Sequence, residues 1–132
     1  MDKIERYMAN DQFAARCGIE LISVEPGRAQ ARMNLQPYHL NGLGTVMGGA
    51  TCTLADFAFA AACNSYGTVA VAINVSVTFM KAATSGVLWA EAREISRNAK
   101  LGSYTVEVKD DQGDLVALFQ GLAYRKADPI QA

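Results

Sequence analysis

Residues 33–80 contain a single Asp, Glu, Lys or Arg, and that residue is Asp56. A stretch so poor in charge must be covered by protein along most of its length. It divides into two parts. The first holds Ala50-Thr51-Cys52-Thr53-Leu54-Ala55-Asp56-Phe57-Ala58-Phe59-Ala60-Ala61-Ala62-Cys63, whose length and alanine content predict a helix over residues 47–64. A helix that is apolar nearly all round needs neighbours on most sides. In the second, Val69, Val71, Ile73, Val75, Val77 and Phe79 alternate with Ala70, Ala72, Asn74, Ser76, Thr78 and Met80, the pattern of a long strand. The simplest packing for such a helix and strand lays a sheet around the helix and buries it.

The flanking segments supply that sheet. Residues 2–16 read as one short amphipathic helix with Ile4, Tyr7, Met8 and Phe13 on its apolar face. Residues 18–25 are extended, Pro26-Gly27 is a turn, and residues 28–35 alternate, giving a hairpin. Residues 36–45 form a loop in which Asn41, Gly42 and Gly44 allow close approach or positive φ. Asn64-Ser65-Tyr66-Gly67 ends the helix. Residues 86–96, 102–109 and 114–125 are strands, the last two joined by the hairpin signal Asp110-Asp111-Gln112-Gly113. Short connections imply antiparallel pairing. The fold class is α+β, the absence of a βαβα order excludes a Rossmann-like sheet, and residues 1–132 are expected to form one domain with a frayed tail at 127–132.

Composition narrows the function. Hydrophobic residues make up 51% and charged residues 19%, which is a globular balance. A net charge of −1 offers no basic field for nucleic acid. Gly48-Gly49, Asp56 and Asn64-Ser65 interrupt the apolar middle, so no membrane span is expected. Met1-Asp2-Lys3-Ile4-Glu5-Arg6 lacks the apolar core of a signal peptide, and the expectation is a soluble, cytoplasmic protein. Cys17, Cys52 and Cys63 lack metal-binding spacing and are expected to be free thiols. His39 is the only histidine, with no companion set for a zinc site and no serine motif for a triad.

Asp56 is the chemical anomaly. Removing a carboxylate from water is costly without a partner, and Cys52, Thr53, Phe59 and Ala60, one turn away, carry no positive charge. It is either a functional acid or a residue that faces solvent or caps a neighbouring segment. Gly48-Gly49 opens the same helix. Free N–H groups and the helix dipole favour negative charge there, as an oxyanion site requires. The alternative is that these glycines only permit a tight loop and close packing. Asp56 lies about 12 Å further along the helix, too far to share a reacting carbonyl easily with Gly48 of its own chain. A second copy could bring its Asp56 there.

The run Leu40-Asn41-Gly42-Leu43-Gly44-Thr45-Val46-Met47-Gly48-Gly49-Ala50, continued by Leu54-Ala55-Asp56-Phe57, resembles the hotdog-fold thioesterases of the phenylacetate-degradation (PaaI-like) type. The resemblance extends through Phe79-Met80-Lys81-Ala82 and Val116-Ala117-Leu118-Phe119-Gln120-Gly121, about residues 15–125. It implies an antiparallel sheet wrapped around the central helix, a homodimer with joined sheets as the minimal active unit, and a dimer of dimers. It implies hydrolysis of an aryl-, arylacetyl- or medium-chain acyl-CoA, with no metal and no cofactor, coenzyme A being part of the substrate. Asp56 would activate water or attack the carbonyl, the Gly48 N–H would hold the oxyanion, and Asn41 would orient the carbonyl from the same subunit as Gly48. Met47, Gly49, Asn74 and Ser76 would contact substrate. Met47 stands where the family often has His, and Ala72 where some relatives have Ser or Thr, with Asn74, Ser76 and Thr78 expected on the face of Ala72. Arg93, Arg97, Lys100, Arg125 and Lys126 are candidates for the CoA phosphates, and Phe57, Phe59 and Tyr66 for the acyl pocket. The alternative is a non-catalytic acyl-CoA binding or sensing protein on the same fold. A dehydratase would want a His beside the acid, and His39 lies well before the helix.

Overall fold

The computed structural model describes residues 2–132. Its strands are β1 (Ile19–Glu25), β2 (Arg28–Asn34), β3 (Thr68–Phe79), β4 (Val87–Arg97), β5 (Leu101–Lys109) and β6 (Leu115–Pro129). They form one antiparallel sheet in the order β1-β2-β4-β5-β6-β3. The helix α3 (Gly48–Cys63) packs on one face of this sheet, most extensively on β2, β4 and β5. This is the α+β hotdog arrangement expected from the sequence.

Small residues let the helix approach. Ala29, Ala31, Ala90, Ala92, Ala117 and Ala123 face α3 and are buried. Phe59 fills the remaining depth, with its ring centroid 5.6 Å from those of both Tyr104 and Phe119. Burying such a ring contributes about 3 kcal/mol. A Cβ on Gly121 would stand 2.8 Å from the Phe59 ring, so β6 needs a glycine there. Asn64 fixes the exit from α3: its Nδ2 donates to the Ala60 carbonyl (2.9 Å) and its Oδ1 accepts from the Ala70 N–H (2.9 Å).

Three expectations change. The N-terminal segment is two helices, α1 (Lys3–Ala9) and α2 (Gln12–Arg16), because Asp11 accepts from the Ala14 N–H and caps a new helix. That break turns Phe13 away from Ile4 and Met8 and leaves it 66% exposed. The end of the chain is not frayed: β6 runs to Pro129, and Ile130 is 1% exposed with its N–H donating to Gly67 O at 3.0 Å. The third change lies in β3. Ala72 pairs with Ala123 but Asn74 pairs with Leu122, so Ile73 is an extra, bulged residue. Ala72 therefore shares the helix-facing side with buried Ala123, whereas Asn74, Ser76 and Thr78 lie opposite Leu122, Gln120 and Leu118 on the other face. The strict alternation in the sequence conceals this switch.

β3 is also an outer strand, free along one edge, and its twelve residues include no charge. Val71, Ile73, Val75 and Phe79 are exposed in the single chain. Long, apolar, uncharged edges are ready templates for pairing.

Candidate active site

The loop before α3 is pinned at several points. His39 is buried, accepts at Nδ1 from the Gln36 N–H (2.9 Å) and donates from Nε2 to Cys17 O (2.7 Å). Both nitrogens are engaged in structure, which removes His39 from acid–base chemistry. Its carbonyl accepts from the Met47 N–H at 2.8 Å, and Val46 N–H donates to Ala83 O at 2.8 Å. Asn41 Oδ1 accepts from the N–H groups of Leu43 (2.9 Å) and Thr45 (3.3 Å). This fixes the amide so that Nδ2 is its uncommitted end.

α3 then starts with Met47 as its N-cap, with extended backbone and no side-chain cap. Ala50 and Thr51 N–H groups donate to Met47 O, while the N–H groups of Gly48 and Gly49 have no acceptor among the described residues. Two unpaired donors at a helix N-terminus suit a developing oxyanion. A hollow of about 380 Å³ opens beside them, walled by Thr45, Phe79, Met80 and Val116 with Lys81 at its edge. The Phe79 ring rests on Gly48, where a Cβ would meet it at 3.0 Å. Lys81 is committed to Asp110 (2.6 Å) and Asp114 (2.7 Å), which raise its pKa, the Asp110 bond first.

Asp56 lies two turns along α3 on a stripe where it and Gly49 are exposed and Cys52, Thr53 and Ala60 are half-buried. It is exposed in the single chain and makes no hydrogen bond or ion pair among the described residues. Enough protein still crowds its carboxylate to raise the pKa above the ordinary aspartate value, chiefly through lost hydration, with the negative charge of Asp11 adding to the shift. Burial raises the Cys52 thiol too, and lifts Cys63 to about 12, so neither offers a thiolate.

Thus Met47, Gly48 and Gly49 open α3, Asn41 lies in the preceding loop bonded to Leu43 and Thr45, and Asp56 stands apart. Asn74 and Ser76, expected beside Ala72, face away from the helix. Arg97 pairs with Glu94 (3.2 Å) and lies 3.9 Å over the Tyr66 ring, and Arg125 donates to Asn98 O. That cluster sits at the far end of α3 from Gly48. Phe59 is consumed by the core and Tyr66 by Glu94, leaving Phe57 as the expected pocket aromatic that lines a cavity. Sequence reasoning missed Asp11, Phe79 and Lys81. The capping signal Asn10-Asp11 and the first charge after the apolar middle, Lys81, were the available clues. Among the described residues, no three His, Cys, Asp or Glu side chains converge as a metal would need, and no helix is long and apolar enough to cross a membrane.

A family model described as the thioesterase superfamily matches residues 43–117. The acyl-coenzyme A thioesterase PaaI of Escherichia coli is 38% identical over 117 residues, covering 88% of this chain and 84% of the relative. The solved E. coli PaaI protein from the phenylacetic acid degradation operon superposes with a TM-score of 0.90 at 33% identity, over 97% of this chain and 99% of that one. The Thermus thermophilus protein TT0310 superposes at 0.84 with 34% identity, over 89% and 99%.

Proposed function

This chain belongs to the thioesterase superfamily, and from that premise we propose that it hydrolyses acyl-CoA thioesters at sites shared by two copies of the chain. Each site joins Asp56 of one copy to Gly48 and Asn41 of the other. The aryl-, arylacetyl- and medium-chain acyl-CoAs are the substrate classes. The observation that carries the reading is the separation of two unpaired halves on one helix: the Gly48 amide and the Asp56 carboxylate, about 12 Å apart by helical rise. A carbonyl held by the amide cannot easily reach the acid of the same chain. A two-fold pairing of copies resolves this and creates two equivalent sites. The bare, apolar β3 edge supports such pairing.

The chemistry follows from those groups. As general base, Asp56 takes a proton from water as its oxygen bonds to the thioester carbonyl carbon. The carbonyl oxygen becomes an oxyanion and accepts from Gly48 N–H, with Gly49 N–H and Asn41 Nδ2 as further donors. When the C–S bond breaks, protonated Asp56 returns the proton to the CoA sulfur. A raised pKa makes Asp56 a better base at neutral pH. As nucleophile, the same carboxylate would form a mixed anhydride that water then opens. Single turnover in ¹⁸O-water separates general-base attack from an anhydride opened at the Asp56 carbonyl carbon: the first puts the label in the product acid, the second puts it on Asp56 and releases an unlabelled acid.

Met47 places a side chain without a donor at the helix start, and this favours a second reading, acyl-CoA binding without turnover. The deciding experiment mixes Asp56→Asn and Gly48→Pro chains after unfolding and refolding them together. Random pairing makes half the dimers mixed, each with one intact site. About a quarter of wild-type activity should then return from two inactive parents. No recovery from parents that fold and pair normally would put both groups in one chain. Tight binding with no turnover by wild type would establish the binding reading instead.

A further inference from the structure

We propose that the acyl group is received by a cavity between α1, α2, β1 and α3 of the subunit that supplies Asp56, and that acids at its rim turn away acyl groups ending in a carboxylate. This rests on the hydrolysis reading above for its choice of ligand, and adds where the acyl group lies and which class is refused.

The cavity holds about 400 Å³, within the range of small-molecule pockets and far above the ~30 Å³ of one water. Met8, Ile19, Leu21 and Phe57 give it an apolar wall suited to an aryl ring or a medium acyl chain. Phe57 is the residue after Asp56, so the cavity borders the turn of α3 that carries the acid. Among the described residues, the only charged ones lining it are Glu5 and Asp11, both acids. Asp11 is held in place by its bond from the Ala14 N–H (2.9 Å), and its charge reaches Asp56. A second carboxylate brought in on an acyl chain would meet two like charges and no cation.

The other hollows fit the acyl group less well. The one at Gly48 carries Lys81 and belongs with the oxyanion donors. The one lined by Met8, Asn10, Asp11, Ala60, Asn64 and Ala70 touches neither β1 nor Phe57, the residue that joins the proposed cavity to Asp56. With the carbonyl between Gly48 of one copy and Asp56 of the other, the acyl chain runs into the Asp56 subunit and the CoA arm leaves past Phe79 of the Gly48 subunit.

Two variants test this. Ala15 is exposed on α2 and lines the cavity, so Ala15→Trp fills the space from outside the core. Asp11→Asn removes a rim charge and keeps a capping residue. Both are compared with wild type for turnover of acetyl-, octanoyl-, phenylacetyl- and glutaryl-CoA. Calorimetric binding of the matching non-hydrolysable thioethers is measured in parallel. Ala15→Trp should lower the octanoyl-to-acetyl and phenylacetyl-to-acetyl ratios about tenfold or more, in binding as in turnover, and Asp11→Asn should raise the glutaryl-to-octanoyl ratio by a similar factor. Ratios unchanged within about twofold in folded variants would overturn the assignment. If wild type binds the thioethers but hydrolyses nothing, the hydrolysis reading falls alone and the binding ratios still decide the cavity. If it binds no analogue of any length, the cavity assignment falls as well.

Discussion

Replacing Asp56 by Asn should reduce activity and raise stability together. The side chain keeps its shape and loses only its charge and its basicity. Loss of a general base costs about 10²–10⁴ in rate, or about 3–5 kcal/mol of barrier at 1.36 kcal/mol per decade. The stability effect has the opposite sign. A carboxyl whose pKa is raised in the fold binds its proton more tightly there than in the unfolded chain. Ionised Asp56 therefore destabilises the fold, beginning as pH rises past the ordinary aspartate value of 3.8 and in full above the raised value. Asn removes that cost at neutral pH and changes little below the unfolded pKa. Asp56 is solvent-exposed in the single chain, so screening limits the gain to about 1 kcal/mol or less, roughly 4 °C in Tm for a chain of this length. Thiol release from octanoyl- or phenylacetyl-CoA reads the first effect, and thermal unfolding at pH 7 and at pH 3.5 reads the second. An Asn variant with activity within about threefold of wild type would remove Asp56 from the chemistry. A variant that melts lower at pH 7 would mean that a cation stabilises the carboxylate, contrary to its lack of a partner.

The acid limb of kcat/KM should lie above the ordinary aspartate range, because the base must ionise, and Asp11→Asn should move it down by removing a nearby negative charge. Gly48→Pro deletes one N–H at the first helical position, where proline is tolerated and the extended Met47 backbone accepts it. Its kcat should fall about 10²–10³-fold, beyond the loss in Gly48→Ala, which only presses on Phe79. Gly121→Val drives a side chain into Phe59 and should cost about 1–3 kcal/mol in urea unfolding without changing the pH profile. Ile73→Lys puts a charge on the bare β3 edge and should shift sedimentation toward monomer, with activity lost in proportion.

The sheet was legible where one face is buried and the other is not. Leu88, Ala90 and Ala92 are buried as their alternation predicts, and so are Ala29, Ala31 and Met33. β3 was legible as a strand but not as a register. A bulge inserts one residue without a side-chain signature, and here the bulged residue is an isoleucine among valines. Hence Asn74 and Ser76 were assigned to the wrong face. The split of the N-terminal helix was present in the capping signal of Asp11 and was outweighed by the apolar spacing of Ile4, Tyr7 and Met8. Ile130, a lone apolar residue near the end of the chain, gave no sign that Gly67 would bind its amide. Asp56 and Gly48 stood out because a charge in an apolar run and a glycine pair at a helix start violate local preference. Asp11 and Lys81 carry local signals, a cap and the first charge after the apolar middle, but these say nothing of a site, and with Phe79 they become site neighbours only through tertiary contact.

Asp56 also exposes a tension between the two readings of α3. The sequence makes this helix apolar nearly all round, as if protein covered every side. The single chain leaves a stripe through Gly49, Cys52, Thr53, Asp56 and Ala60 only partly covered, with Gly49 and Asp56 exposed, because one sheet can face only part of a helix. A helix meant to border solvent would carry lysines and glutamates along such a stripe, and this one has a single acid. The same pattern recurs on β3, where an open edge has no charge at all. Both surfaces are polar-poor and unpartnered in one chain. The two-fold pairing proposed above would have to cover both surfaces as well as join Asp56 of one copy to Gly48 of the other, so the burial requirement adds a second, independent test of that proposal.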